Sequence, residues 1–235
     1  MTIPPLRIIG TGAVETPLMQ TAEAWARETG RGTEITILNG GSAAAKVRGG
    51  APVDLVVNAM VTLDGLIADG HLDGATRAEV ARVRVGIGLR DGDPVPDLST
   101  PEALRAAILA AGAISHSDPA AGASTGLHMV AMLRDLGVTA AMAGRIQVYG
   151  RGIKAVEAVR DGIADMALTQ SSEIKAVPGV TLVAPLPEAV GLVTTYVGAV
   201  ATQATDPAGA AALLAMLRDA TGQARFVTAG LETVA

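Results

Sequence analysis

The side chains able to do chemistry in this 235-residue chain are few, and they stand beside glycines where apolar runs end. Asn39-Gly40-Gly41-Ser42 follows the run Ile35-Thr-Ile-Leu38 and precedes Ala43-Ala-Ala-Lys-Val-Arg48, which reads as strand, glycine turn and helix. A helix start of that kind leaves backbone N–H groups and one hydroxyl pointing outward, and it attracts small anions. Gly10-Thr11-Gly12 ends an earlier run in the same way. Without the third glycine of a dinucleotide fingerprint, it reads as a generic anion turn. Gly150-Arg151-Gly152 joins backbone freedom to a guanidinium, although a solvated loop arginine would have the same surroundings in sequence. Tyr149 precedes it with an O–H that could serve a ligand or act as an acid, or could lie at a core edge.

His116 and Asp118 flank Ser117 at the end of a further run, where strand alternation puts both on one side. A histidine beside a carboxylate is the usual composition of a proton-transfer site, because its pKa lies near neutrality. The alternative is a satisfied histidine at a strand end, with Asp118 capping the following turn. Gln170 with Ser171 and Ser172 offers neutral donors, or Ser171 caps a short helix toward Glu173. Glu15 and Lys46, near the first two turns, read as solvated helix residues. No two of the three histidines have metal-ligand spacing, so no metal is expected. The chain has no Gly-x-Gly-x-x-Gly, no phosphate loop and no Gly-x-Ser-x-Gly elbow, so no cofactor is expected either.

These residues need a frame, and the composition supplies one. With 49% hydrophobic residues the chain can bury a large core as one domain or two lobes. A net charge of −5 and only 2% aromatic residues argue against nucleic acid, since neither a basic track nor stacking platforms exist. The absence of cysteine excludes disulfides, thiolate nucleophiles and most structural zinc. No stretch approaches 18 uninterrupted apolar residues, so no membrane span is expected. The first run begins at Leu6, and nothing before it resembles a secretory leader. The expected address is therefore cytoplasmic, or periplasmic if a leader has been removed. Oligomeric state is left open.

Short apolar runs alternate with segments of helical period, the signature of an α/β protein with mainly parallel sheets and flanking helices. Strands are expected at 6–10, 33–38, 54–58, 113–117, 146–149 and 166–169. Helices are expected at 16–29, 42–48, 63–69, 101–111, 124–136, 152–161 and 207–221, with a short tail after the last. Runs of strand character near 82–89 and 191–201 predict two crossings between lobes. That gives residues 1–82 with 195–235 as one lobe and 83–194 as the other. The expected ligand site is a cleft between them.

Gly30 closing the first helix, Gly50-Ala-Pro-Val-Asp-Leu55, Asp161-Gly-Ile-Ala-Asp-Met-Ala-Leu168, Gln170-Ser-Ser-Glu173 and the ending 226–231 resemble type II periplasmic solute-binding proteins of the molybdate-binding group. The resemblance covers nearly the whole chain, and Gly-Ala-Pro-Val-Asp is its most specific run. Asp97-Leu-Ser-Thr-Pro-Glu-Ala-Leu104, Ser115-His-Ser-Asp-Pro-Ala-Ala-Gly122 and Ala184-Pro-Leu-Pro-Glu188 look like the branch of that group with aconitate isomerase. The resemblance implies a two-lobed fold and places the anion contacts at Thr11-Gly12-Ala13, Gly40-Gly41-Ser42, Ala121-Gly122-Ala123 and Arg151-Gly152. A family tyrosine falls near Gln170. Asn39, Ser117, Asp118, Ser124 and Gly150 adjoin these contacts and complete the candidate lining.

The departures from the family pattern carry information. Gly12 or Ala13, and Gly41, stand where molybdate binders offer serine hydroxyls, while Arg151 adds a guanidinium. A guanidinium fork matches a carboxylate through two parallel hydrogen bonds. Each charge-assisted bond contributes roughly 1.5–3 kcal/mol against about 1 for a neutral one, so one arginine outweighs two lost serines. The ligand is therefore expected to be a small anion, a di- or tricarboxylate in preference to an oxyanion. Two functions follow from the resemblance. One is an allylic isomerase in which Arg151 and the glycine turns hold carboxylates while His116 or Tyr149 moves a proton. The other is a solute-binding or sensing protein that binds without turnover.

Overall fold

The computed structural model describes residues 4–121 and 124–234. The chain runs through β1 (Leu6–Thr11), α1 (Glu15–Thr29), β2 (Thr33–Leu38), α2 (Gly40–Arg48), β3 (Leu55–Ala59), α3 (Met60–Ala68) and β4 (Ala78–Arg90). It continues through α4 (Pro101–Ala110), β5 (Ile114–Ser117), α5 (Ser124–Asp135), β6 (Ile146–Tyr149), α6 (Gly152–Arg160), β7 (Met166–Gln170) and α7 (Ser171–Lys175). It ends with β8 (Val180–Pro185), β9 (Val193–Val200), α8 (Pro207–Arg218) and α9 (Ala220–Thr228). Two compact units result, one of Met1–Val83 with Thr194–Ala235 and one of Arg84–Val193.

In the first unit β1 lies between β2 and β3, parallel to both, and β9 runs antiparallel to β3. Leu6 and Ile8 pack with Val14, Leu18, Trp25 and Phe226, whereas Ile9 packs with Val47, Val56, Leu63 and Leu66. Coverage on both faces is why β1 reads as a continuous apolar run. A buried ionic brace fixes its register. Arg7 donates from Nε and Nη2 to the fully buried Asp54 carboxylate at 3.2 Å each, and Thr205 donates to the same group from its backbone N–H at 2.7 Å.

In the second unit β5 lies between β6 and β7, parallel to both, and β4 runs antiparallel to β7 and to β8. Ile114, Met166 and Leu168 pack with Leu104, Met129 and Leu133 on one face. Ala167 packs with Val156, Val159 and Ile174 on the other. Each sheet thus combines parallel pairs with antiparallel ones.

Three differences from the sequence expectation have local causes. α2 starts at Gly40 and not at Ser42, because Asn39 caps it by accepting from the Ser42 N–H at 2.8 Å. The C-terminal region is two helices, not one helix and a tail. α8 stops at Arg218, and Asp219 caps α9 by accepting from the Gly222 N–H at 2.7 Å. β8 was absent from the expectation; it fits against β4 because a Cβ at Gly86 would overlap Leu182, and one at Gly88 would press on Ile174 and Val180.

Candidate functional site

Each unit brings part of the candidate set to the C-terminal ends of its parallel strands. In the first unit, Thr11 ends β1 and is 4% exposed. Its hydroxyl caps nothing and has no partner among the described residues. Gly12 and Ala13 begin the 3-10 turn that enters α1, and the Ala13 side chain lies in the core, so only its backbone could serve a ligand. A Cβ at Gly10 would meet the Leu18 side chain of α1 at 2.5 Å, so β1 and α1 approach closely there.

Gly40, Gly41 and Ser42 form the first turn of α2. The Asn39 side chain already occupies the Ser42 amide, and the Ala43 amide bonds to the Asn39 carbonyl at 2.9 Å. The remaining donors of that helix start are the Gly40 and Gly41 amides. Asn58, at the end of β3, donates to the Gly40 carbonyl at 3.1 Å and accepts from the Ala59 amide at 2.8 Å. This fully buried residue holds α2 in place. The sequence reading did not single it out, although an asparagine ending the run Leu55-Val-Val-Asn58 is a visible signal.

In the second unit the pairing of β5 with its neighbours sorts the candidates by face. Ser115 donates to the Ala155 carbonyl of α6 at 2.7 Å, while Ile114 belongs to the opposite core. By alternation Ser117 faces α6, and so does Tyr149, its partner in β6. His116 faces the α4 and α5 side, as does Gln170, two residues beyond Leu168 in β7. His116 and Tyr149, both proposed as proton carriers, therefore leave the sheet on opposite faces.

His116 is 2% exposed. Its Nδ1 lies 2.8 Å from the Ser117 carbonyl, an acceptor, which assigns the proton to Nδ1 and leaves the Nε2 lone pair unprotonated. Burial pushes its pKa below the ordinary value and outweighs the opposing pull of the Ser117 carbonyl and the Asp118 carboxylate. Asp118 lies past the strand end and accepts from the Ala120 amide at 2.8 Å, closing the turn before Ala121. Gly122 and Ala123 lie outside the described residues. Ser124 is exposed at the start of α5, where Gly126 packs on the backbone of Ser117, Asp118 and Pro119.

Gly150 lies in the bend after β6, and Arg151 is the N-cap residue of α6 in extended conformation, with no side-chain cap bond. Gly152 is buried. A Cβ there would overlap both the Glu173 carboxylate and the Thr169 hydroxyl. Thr169 donates to Glu173 Oε2 at 2.6 Å, and Glu173 is 9% exposed. This pair was missed in sequence; the hint was Glu173 three residues after Gln170. The neighbouring Ser172 hydroxyl, in a residue 6% exposed, has no partner among the described residues. Among the described residues no His, Asp or Glu group could hold a metal ion, and no helix is long and apolar enough to cross a membrane.

A model of the family described as bacterial extracellular solute-binding protein matches residues 6–232. The chain belongs to that family. Aconitate isomerase from a Pseudomonas species is 26% identical over 234 residues, which cover 97% of this chain and 88% of that protein. The periplasmic molybdate-binding protein of Azotobacter vinelandii superposes with a TM-score of 0.78 at 18% identity, covering 98% of this chain and all of that one. PEB3 of Campylobacter jejuni, solved with bound L-phospholactate, superposes at 0.73 with 14% identity over 97% of this chain and all of that one. At such identities the structural likenesses speak to the fold, a mixed α/β architecture with sheets and flanking helices like that of periplasmic binding proteins.

Proposed function

We propose that this solute-binding-family protein takes a small organic acid by its carboxylate groups and moves a proton between the allylic carbons of an unsaturated di- or tricarboxylate. The observation that carries the reading is Arg151 at the N-cap of α6, between Gly150 and Gly152. A guanidinium at a helix start offers a carboxylate two parallel charge-assisted hydrogen bonds beside the positive end of the helix dipole. The 26% identity to aconitate isomerase along nearly the whole chain supports the same reaction class.

The chemistry asks for two things. Removing an allylic proton leaves a carbanion whose charge spreads onto a carboxylate, and a fixed cation there lowers the barrier. Returning the proton at the other allylic carbon shifts the double bond with atoms in balance. Two side chains can carry that proton. His116 has an unprotonated Nε2 and a pKa held low by burial, so it is neutral and able to accept. Tyr149, two residues before Arg151, has a phenolic O–H on the α6 side of the sheet.

The test is proton NMR of trans-aconitate with the protein in deuterated water. A new isomer is expected to accumulate and deuterium to enter the allylic positions, with His116→Gln or Tyr149→Phe slowing both at least a hundredfold for whichever group carries the proton. Tight binding with no isomer and no exchange would leave a non-catalytic solute-binding protein. One observation favours that second reading: His116 Nδ1 bonds a main-chain carbonyl and not a carboxylate, so no acid orients it as a base.

A further inference from the structure

The start of α2 is made of two consecutive glycines, the residue type that fixes a backbone direction least firmly. The donors remaining there, the Gly40 and Gly41 amides, serve an anion only if they point steadily toward it. Asn58 supplies that constraint. Its Nδ2 donates to the Gly40 carbonyl at 3.1 Å, and its Oδ1 accepts at 2.8 Å from the amide of Ala59, the N-cap of α3. With both ends of the side-chain amide engaged, its orientation is set as well as its place. The Gly40 carbonyl and the Gly41 N–H belong to one planar trans peptide and point in opposite directions. A bond that pins the carbonyl therefore also fixes the direction in which the Gly41 N–H leaves the helix start.

A second observation points to a ligand at this corner. Ile9 of β1 and Val56 of β3 are register partners, and both pack with Ala43 and Val47 of α2. Thr11 and Asn58 stand two residues beyond that pair on their strands, so both leave the sheet on the α2 side. The Thr11 hydroxyl is buried without a partner among the described residues. Asn58 is fully buried, so it does not touch the ligand and acts through the peptide that it holds. We infer that Asn58 is a positioning residue that aims the Gly41 amide at a bound anionic head group, on the side of the sheet where the Thr11 hydroxyl offers a further donor. This role rests on the reading that the protein binds a small anion at its helix starts.

Two-dimensional proton–nitrogen NMR of wild-type and Asn58→Leu proteins, titrated with trans-aconitate and with molybdate, tests it. Leucine is close to asparagine in size and cannot donate to the Gly40 carbonyl. In the wild type the Gly41 amide proton is expected to move downfield as ligand is added, as an N–H does on bonding an anion. In Asn58→Leu that movement should fall by more than half and the affinity by at least about tenfold, with circular dichroism unchanged. A residue that only held the fold together would lower stability and leave the Gly41 movement on binding as it is in the wild type. Should the leucine variant fail to fold, Asn58→Ser keeps a hydroxyl and leaves room for a water at the Gly40 carbonyl, and about a threefold loss of affinity with a smaller Gly41 movement is expected. A folded variant with wild-type affinity and wild-type Gly41 movement overturns the inference, as does a wild-type Gly41 amide that responds to neither anion. If trans-aconitate binds without moving Gly41, the role of Asn58 falls while the carboxylate reading stands. If molybdate alone binds and moves Gly41, and the leucine variant loses that movement, the role of Asn58 stands and the carboxylate reading falls.

Discussion

The helix starts of α2 in the first unit and α6 in the second are built alike, each following a strand of a parallel pair and each carrying glycine in its first turn. Their chemistry is opposite. At α2 the cap is the neutral Asn39, the remaining donors are two glycine amides, and the neighbouring β1 ends in a buried hydroxyl. At α6 the cap is Arg151, and the Glu173 carboxylate already lies against the first residue. The first start is equipped with neutral donors, the usual means of holding an oxyanion. The second sets a charged cap residue beside an acidic side chain that packs against its first turn. A glycine-rich turn in sequence therefore says that an anion can approach but not which anion.

Breaking the frame beneath the first unit's turn should have the largest effect. Replacing Asp54 with Ala strands the Arg7 guanidinium and removes the acceptor of Thr205, and loss of about 3 kcal/mol by denaturant unfolding is expected. The same brace has a pH signature. Burial alone would raise the Asp54 pKa, but the Arg7 fork and the Thr205 donors outweigh it and hold it at about 2, against 3.8 in the unfolded chain. Its contribution, about 2 kcal/mol from the shift, is complete above pH 4 and disappears as pH falls toward 2. An Asp54→Asn protein should lack that acid-dependent portion when its stability is followed from pH 5 to 2.

The second unit's start is broken by Gly152→Ala. The added methyl must displace Glu173 or Thr169, and overpacking of this kind costs roughly 1–3 kcal/mol. Chemical denaturation would reveal it; a loss below half a kcal/mol would mean that Glu173 moves freely and that the two helix starts differ less than the geometry implies. The smallest effect on stability, and the most selective on binding, is expected from Thr11→Val. The hydroxyl it removes is buried and unpartnered among the described residues, so the variant should be as stable as the wild type or up to about 1 kcal/mol more so. Its affinity for trans-aconitate should nevertheless fall about three- to tenfold, measured by titration calorimetry. Lower stability together with unchanged affinity would make Thr11 a core residue with no ligand role.

Most of the frame was legible because it rests on local signals. β1 and β3 read as apolar runs, α1 ends at Gly30 with a left-handed φ of 70°, and α4 starts at Thr100-Pro101 with the threonine side chain accepting from the Ala103 amide. Elements depending on distant partners were not legible. β8 exists because Gly86 and Gly88 of β4 leave room for it, and the alanine-rich end of the chain hides the break that Asp219 and Gly222 impose. The site divides along the same line. Thr11, Asn39 to Ser42 and Arg151 could be placed at strand ends from neighbouring residues alone. That Asn39 consumes the Ser42 amide, and that Glu173 meets Gly152 from 21 positions away, are contacts made by the fold.

The central claim is that the guanidinium of Arg151 receives a ligand carboxylate, and calorimetric titration of trans-aconitate into wild-type and Arg151→Ala proteins tests it most directly. The prediction is an affinity at least tenfold weaker in the variant, about 1.4 kcal/mol, with the thermal midpoint unchanged within two degrees. Equal affinities in two folded proteins would contradict it and remove Arg151 from the site.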